Sequence, residues 1–245
     1  MKTTDIITGC SSYYNFRWAE IFYPAGIGRH KWFEYYCEHF NTYEINGSFY
    51  KFPTVKSLQT WYNKSPEGFL FSLKVPKLIT HIKRLEDCER ELSEFYTACR
   101  EGLADKLACV LFQLPPSFSY TPERLELVLK AADPAFTNVV EFRNESWWTQ
   151  EVFEALAATN ISFCSVNYPK LPTAVTATTD LVYVRFHGNP RLFYSEYTAE
   201  ELKRTYDEIL ATKCSRSFVY FNNTASTAAI LNAVAFKKLA GSADS

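Results

Sequence analysis

The stretch Ala108-Cys109-Val110-Leu111-Phe112-Gln113-Leu114-Pro115-Pro116 decides the fold. It is apolar without alternation except at Gln113, too short for a helix, and closed by two prolines. That pattern reads as a strand buried on both faces, as parallel sheets require. Working outward, comparable segments lie at 6–9, 42–46 and 69–75 before it, and at 138–142, 162–166, 181–187 and 217–221 after it. The intervals between them carry helical periodicity at 31–39, 55–63, 86–103, 122–131, 149–159, 199–212 and 225–239. Thr121 before Pro122 reads as a helix cap, Thr198 with Glu201 as a capping box, and Ser146 and Thr149 as two competing caps. The interval 168–180, with Pro169 and Pro172, lacks a helical period and reads as a loop or broken helix. Alternating strands and helices imply a parallel sheet with right-handed crossovers, and eight repeats in 245 residues imply closure. The expected fold class is α/β, a single (β/α)8 TIM barrel over residues 1–245, with an irregular segment replacing or shortening the helix after strand 6. An open doubly wound sheet would want a glycine-rich first turn, and Gly9-Cys10-Ser11-Ser12-Tyr13 lacks that fingerprint.

Composition narrows the function classes. Net charge is −1, so no basic excess points to nucleic acid, although a net charge says nothing of a local basic groove. No apolar run approaches about twenty residues, so no membrane span is expected. The start is too short in apolar residues for a signal peptide. The seven cysteines are odd in number, widely spaced and free of Cys-x-x-Cys, which points to reduced thiols in the cytoplasm. Aromatic residues make up 17%, enough to leave some Tyr and Trp for lining a pocket after the core is filled.

Polar residues fall at the carboxyl ends of the expected strands. They are Ser11 after strand 1, Glu44 and Asn46 on strand 2, Lys74 on strand 3 and Gln113 on strand 4. Glu141 and Arg143 follow on strand 5, Arg185 and His187 on strand 7, and Asn222 and Asn223 after strand 8. Residues two apart on a strand share a face, which pairs Glu44 with Asn46, Glu141 with Arg143, and Arg185 with His187. Charged groups are rarely buried alone, and the carboxyl ends of barrel strands are where active sites sit. The plainer alternative is a satisfied ion network closing the barrel top, although such networks add little stability over apolar packing.

With this order established, the chain resembles the DUF72 (YecE-like) family across nearly its whole length. The segments that carry the resemblance include Gly9-Cys10-Ser11-Ser12, Phe40-Asn41-Thr42-Tyr43-Glu44-Ile45-Asn46 and Lys74-Val75-Pro76. They continue with Leu111-Phe112-Gln113-Leu114-Pro115-Pro116, Glu141-Phe142-Arg143, Val184-Arg185-Phe186-His187-Gly188 and Tyr220-Phe221-Asn222-Asn223. The resemblance implies a TIM barrel and brings no assigned activity. Two positions depart from the family pattern: Tyr13-Tyr14 where a tryptophan is usual, and Thr224 where an aspartate usually follows the two asparagines.

Three chemistries suit these residues. His81 and His187 with Glu44 and Glu141 offer donors for one divalent ion, but the set is sparse and no strand end supplies an aspartate. Glu44 and Glu141 are also the one obvious carboxylate pair for glycoside hydrolysis. Lys74, Arg143 and Arg185 supply positive charge, and the 222–226 turn leads into a helix start that favours anions. The reading adopted is a pocket for a small anionic ligand, without a metal and with no cofactor indicated. Glu44, Lys74, Glu141 and His187 are its candidate catalytic groups. Ser11, Asn46, Gln113, Arg143, Arg185, Asn222 and Asn223 are its candidate contacts. A metal-dependent phosphodiesterase or nuclease, and a non-catalytic binding protein, are the alternatives.

Overall fold

A computed structural model describes residues 4–241. Eight parallel strands close in chain order: β1 (Asp5–Cys10), β2 (Thr42–Ile45), β3 (Leu70–Lys74), β4 (Leu107–Gln113), β5 (Asn138–Glu141), β6 (Ser162–Asn167), β7 (Leu181–Phe186) and β8 (Arg216–Phe221). The helices are α1 (Trp32–His39), a single turn α2 (Gly47–Tyr50), α3 (Val55–Lys64), α4 (Glu89–Leu103), α5 (Pro122–Ala131), α6 (Gln150–Ala158), α7 (Ala199–Thr212) and α8 (Ala228–Gly241). This is the expected (β/α)8 barrel, and no helix stands between β6 and β7. Among the described residues no helix is long and apolar enough to cross a membrane. All seven cysteines are free thiols. The chain divides into two compact units, one of the residues up to Glu44 with those from Ser165 on, the other of Ile45–Cys164.

In the first unit, β8 pairs with β1 from Asp5↔Arg216 to Cys10↔Phe221, and with β7 from Leu181↔Arg216 to Phe186↔Phe221. The outer face of this sheet is aromatic. Phe186 stacks on Phe221 with centroids 4.7 Å apart, and both meet Phe236 of α8. The Thr198–Glu201 capping box forms as read, and α7 ends on Lys213 in the left-handed region. α8 starts three residues later than its periodicity suggests. The preceding turn is held by distant groups: Asn15 Nδ2 donates to the Thr224 carbonyl, Arg17 to that of Ala225 and the Trp18 indole to that of Ser226.

In the second unit, β3, β4 and β5 pair in order. Phe142 leaves the outer face of β5 and stacks on Trp147 at 4.0 Å, with Phe118 parallel beyond it. Thr149, not Ser146, caps α6, because Ser146 is taken by Tyr120 and Asn144. α4 starts at Glu89 rather than 86, because Arg84, Leu85 and Asp87 all have positive φ and cannot continue a right-handed helix. Between β3 and those residues the chain makes a π-helical turn, Leu78–Ile82.

Gly9 marks a tight approach of β1 to the segment entering β2. A Cβ there would lie 2.5 Å from the Thr42 carbonyl oxygen, which is backbone and has nowhere to retreat. Gly9→Ala is therefore expected to destabilise the protein by about 1–3 kcal/mol, the usual range for overpacking, read as a lower urea midpoint at unchanged m-value.

Candidate functional site

In the first unit, Glu44 is fully buried and both of its oxygens are engaged from β7. Arg185 Nη2 donates to Oε1 at 2.6 Å and the Tyr183 hydroxyl to Oε2 at 2.7 Å. β2 and β7 are not neighbours in the barrel, so these bonds cross its interior and Glu44 points inward. Tyr183, Arg185 and His187 are spaced by two and share one face, opposite Phe186. A second chain of contacts ties the ends of β1, β8 and β7. Ser11 Oγ donates to Asn222 Oδ1, and Asn222 Nδ2 lies 2.8 Å from His187 Nδ1. The His187 ring is buried, with its edge against Tyr168. Asn223 is turned elsewhere: its Nδ2 bonds to the Ser195 carbonyl and to Asn232 of α8. In the adjoining turn, the Ala225 amide donates to the Phe193 carbonyl and the Ala228 amide to Ser226 Oγ, so both amides have partners within the protein.

In the second unit, Arg143 Nε bonds to Glu141 Oε1 two residues away, and Cys164 Sγ lies 3.9 Å from Oε2. By strand alternation this pair faces away from the Phe142–Trp147 stack. Gln113 Nε2 donates to the Leu114 carbonyl, and Asn46 stands directly before α2. Lys74 ends β3, and its ammonium sits 4.1 Å from the centroid of Phe49. Phe49 also meets His81, at 4.9 Å and edge to face. His81 Nδ1 is 2.9 Å from Thr80 Oγ1. Burial and the facing cations Lys74, Lys77, Arg143 and Arg84 push the His81 pKa down from its ordinary 6.5 to about 4. Burial pushes the Cys10 thiol the other way, well above its ordinary range, so it carries no thiolate at neutral pH. Among the described residues no three His, Cys, Asp or Glu groups gather as a metal cluster would.

Each predicted site residue thus lies at or next to the carboxyl end of a strand. Ser11, Glu44, Arg185, His187, Asn222 and Asn223 belong to the first unit, and Asn46, Lys74, Gln113, Glu141 and Arg143 to the second. Tyr183 was not singled out, although its spacing of two from Arg185 was the available signal. Lys77 and Arg84 flank the π turn in irregular backbone, where neither helical nor strand periodicity gives a signal.

The family model described as "Protein of unknown function DUF72" matches residues 7–245. The chain belongs to the DUF72 family. Within it, the chain is 27% identical over 236 residues to the UPF0759 protein YunF of Bacillus subtilis, covering 82% of this chain and 83% of that protein. It is 32% identical over 85 residues to the UPF0759 protein YecE of Escherichia coli, covering 35% and 31%. The crystal structure of a DUF72 family protein from Thermotoga maritima superposes with a TM-score of 0.86 at 28% identity, covering 96% of this chain and 98% of that one. A DUF72 family protein from Enterococcus faecalis, at 20% identity and a TM-score of 0.81 over 98% and 99%, shares the fold.

For this DUF72 chain the Glu44–Arg185 pair has a measurable signature. Arg185→Met is expected to cost about 3–5 kcal/mol in urea unfolding, because it leaves a buried carboxylate uncompensated. The double variant Glu44→Leu with Arg185→Met is expected to cost less than Arg185→Met alone.

Proposed function

We propose that the chain binds a small anionic ligand at the carboxyl ends of β3 and β5, where Lys74, Lys77, Arg84 and Arg143 face His81. The observation that carries this reading is geometric: the half-buried His81 ring packs on Phe49, whose ring also meets the Lys74 ammonium, with Lys77, Arg84 and Arg143 nearby. Four cations gather there, and Glu141 is paired with Arg143. Distant surface charges are screened within about 10 Å, so these nearby cations weigh more at the site than the net −1 of the whole chain. A phosphate, sulfate or carboxylate suits such a gathering, with Arg143 offering a planar fork and Lys74 a point charge. The same field opposes a divalent cation at His81, which favours a metal-independent ligand over the phosphodiesterase reading. Glu141 and Lys74 are the acid–base groups within reach of such a ligand. Glu44 and His187 belong to the first unit, where Glu44 is committed to Arg185 and Tyr183.

The test is titration calorimetry at pH 7 with phosphate, sulfate and acetate, beside NMR of the His81 ring. The intact protein is expected to bind at least one of these anions, and Lys74→Met to weaken that binding about fivefold or more. In the free protein the ring should titrate near pH 4, and bound anion should move the midpoint upward as it offsets the cations. No binding by the intact protein, with an unmoved His81, would overturn the proposal.

The same group sets a pH dependence of stability. Between pH 6.5 and about 4 the unfolded chain takes up a proton at His81 that the folded protein refuses. Stability should therefore fall with pH across that window and be unaffected by His81 above it. His81→Gln should flatten this part of the profile in urea titrations run from pH 7 to 4.

A further inference from the structure

The hydrogen-bonded run at the ends of β1, β8 and β7 lies wholly within the first unit and stands apart from the anion reading. Its backbone is pinned on both sides: the Asn222 amide donates to the Phe186 carbonyl at 2.8 Å and the His187 amide to the Asn167 carbonyl at 3.0 Å. The direction of each side-chain bond in the run follows from the partners. An amide side chain has one end that only accepts and one that only donates, whereas a hydroxyl does both. The Ser11 hydroxyl has two acceptors in reach, Asn222 Oδ1 at 2.5 Å and the Phe221 carbonyl at 3.3 Å. That carbonyl already receives the Ser11 backbone amide at 3.1 Å. The hydroxyl proton therefore goes to Asn222 Oδ1. Turning the amide over would send its NH2 to Ser11 and leave the hydroxyl proton with the longer contact to an occupied carbonyl.

With its oxygen held by Ser11, Asn222 turns its NH2 to the His187 ring. Two donors cannot share a 2.8 Å contact, so Nδ1 accepts, and a ring that accepts at Nδ1 carries its proton on Nε2. We propose that Ser11 and Asn222 are positioning residues that hold His187 as the neutral Nε2–H tautomer, and that His187 acts as a hydrogen-bond donor, not as a base. An imidazolium is opposed by the same contact, since it would set a ring N–H against the NH2. His187 ends a row on one face of β7 in which Tyr183 and Arg185 donate as well, both to Glu44. What meets Nε2 is then an acceptor, an oxygen of carbonyl, carboxylate or phosphate type. A neutral imidazole in this role polarises a carbonyl or holds an oxyanion, and it has no lone pair on Nε2 with which to abstract a proton.

The experiment is long-range proton–nitrogen NMR of the histidine rings in the isotope-labelled full chain at pH 7, where protonated and unprotonated ring nitrogens resonate far apart. The signals of His187 are those lost in His187→Gln. The intact protein is expected to show Nε2 protonated and Nδ1 unprotonated. Asn222→Asp sets only acceptors opposite Nδ1 and is expected to bring a proton onto that nitrogen. Ser11→Ala leaves the amide free to turn over, and the Nδ1–H form should rise about threefold to tenfold, the worth of one hydrogen bond. Ser11→Thr keeps the hydroxyl and should keep the tautomer of the intact protein. The ring signals of His81, in the other unit, and the urea midpoint report whether each variant is folded. A proton on Nδ1 in the intact protein, alone or together with one on Nε2, would overturn the proposal, and this measurement needs no variant to fold. An unchanged tautomer in folded Asn222→Asp and Ser11→Ala would overturn it as well, by removing Ser11 and Asn222 from control of the ring.

Discussion

A barrel strand has no face turned to water, so a charged side chain on it must find its partner inside the protein or at the strand's end. Glu44 shows how completely this can be met. Its two oxygens receive an arginine and a tyrosine from β7, three strands away around the barrel. Such a pair adds little over apolar packing of the same volume, yet it is costly to break, because one partner left alone is a buried unpaired charge. The polar ends of the strands therefore cannot be a random scatter. Each charged group there is either compensated within the protein or positioned for something that compensates it.

The two units meet this demand differently. In the first, Glu44, Tyr183 and Arg185 are matched to one another, and Ser11, Asn222 and His187 form a continuous hydrogen-bonded run. In the second, Glu141 pairs with Arg143, and Lys74, Lys77 and Arg84 stand in the same neighbourhood about His81. That gathering of cations is what favours the β3–β5 ends for an anion. The turn before α8 has less to give, since its Ala225 and Ala228 amides already have acceptors and its carbonyls are taken by Asn15, Arg17 and Trp18.

The parts of this arrangement legible in the sequence are those governed by short-range periodicity. The eight strands follow from short apolar runs bounded by turn residues, and α5 and α7 begin where Thr121 and Thr198 cap them. Prolines at 169 and 172 announced the missing crossover helix. The Glu141–Arg143 pair followed from the two-residue repeat of a strand. What escaped was set by contacts far apart in sequence or by backbone without a period. The start of α8 depends on residues some 210 positions earlier. The beginning of α4 depends on three left-handed residues that nothing in their side chains required. Tyr183 passed for core because a tyrosine in an apolar strand is usually core, and only its hydroxyl's route to Glu44 distinguishes it.

The π turn is where these threads meet. It places Leu78 and Ile82 outward and Ile79 and Thr80 fully inside, while His81 is left between the two environments. An α-helical turn would bond each amide to the carbonyl four residues back. Here the Lys83 amide reaches the Leu78 carbonyl five back, a widened ring of the kind that recurs at functional sites. The Thr80 hydroxyl donates to the Pro76 carbonyl at 3.3 Å, and the same oxygen lies 2.9 Å from His81 Nδ1. His81 is thus fixed by a neighbour that is itself fixed to the end of β3, and its ring is set edge-on to Phe49. The widened turn presents one polar, titratable ring to the cations while its flanking apolar residues face out.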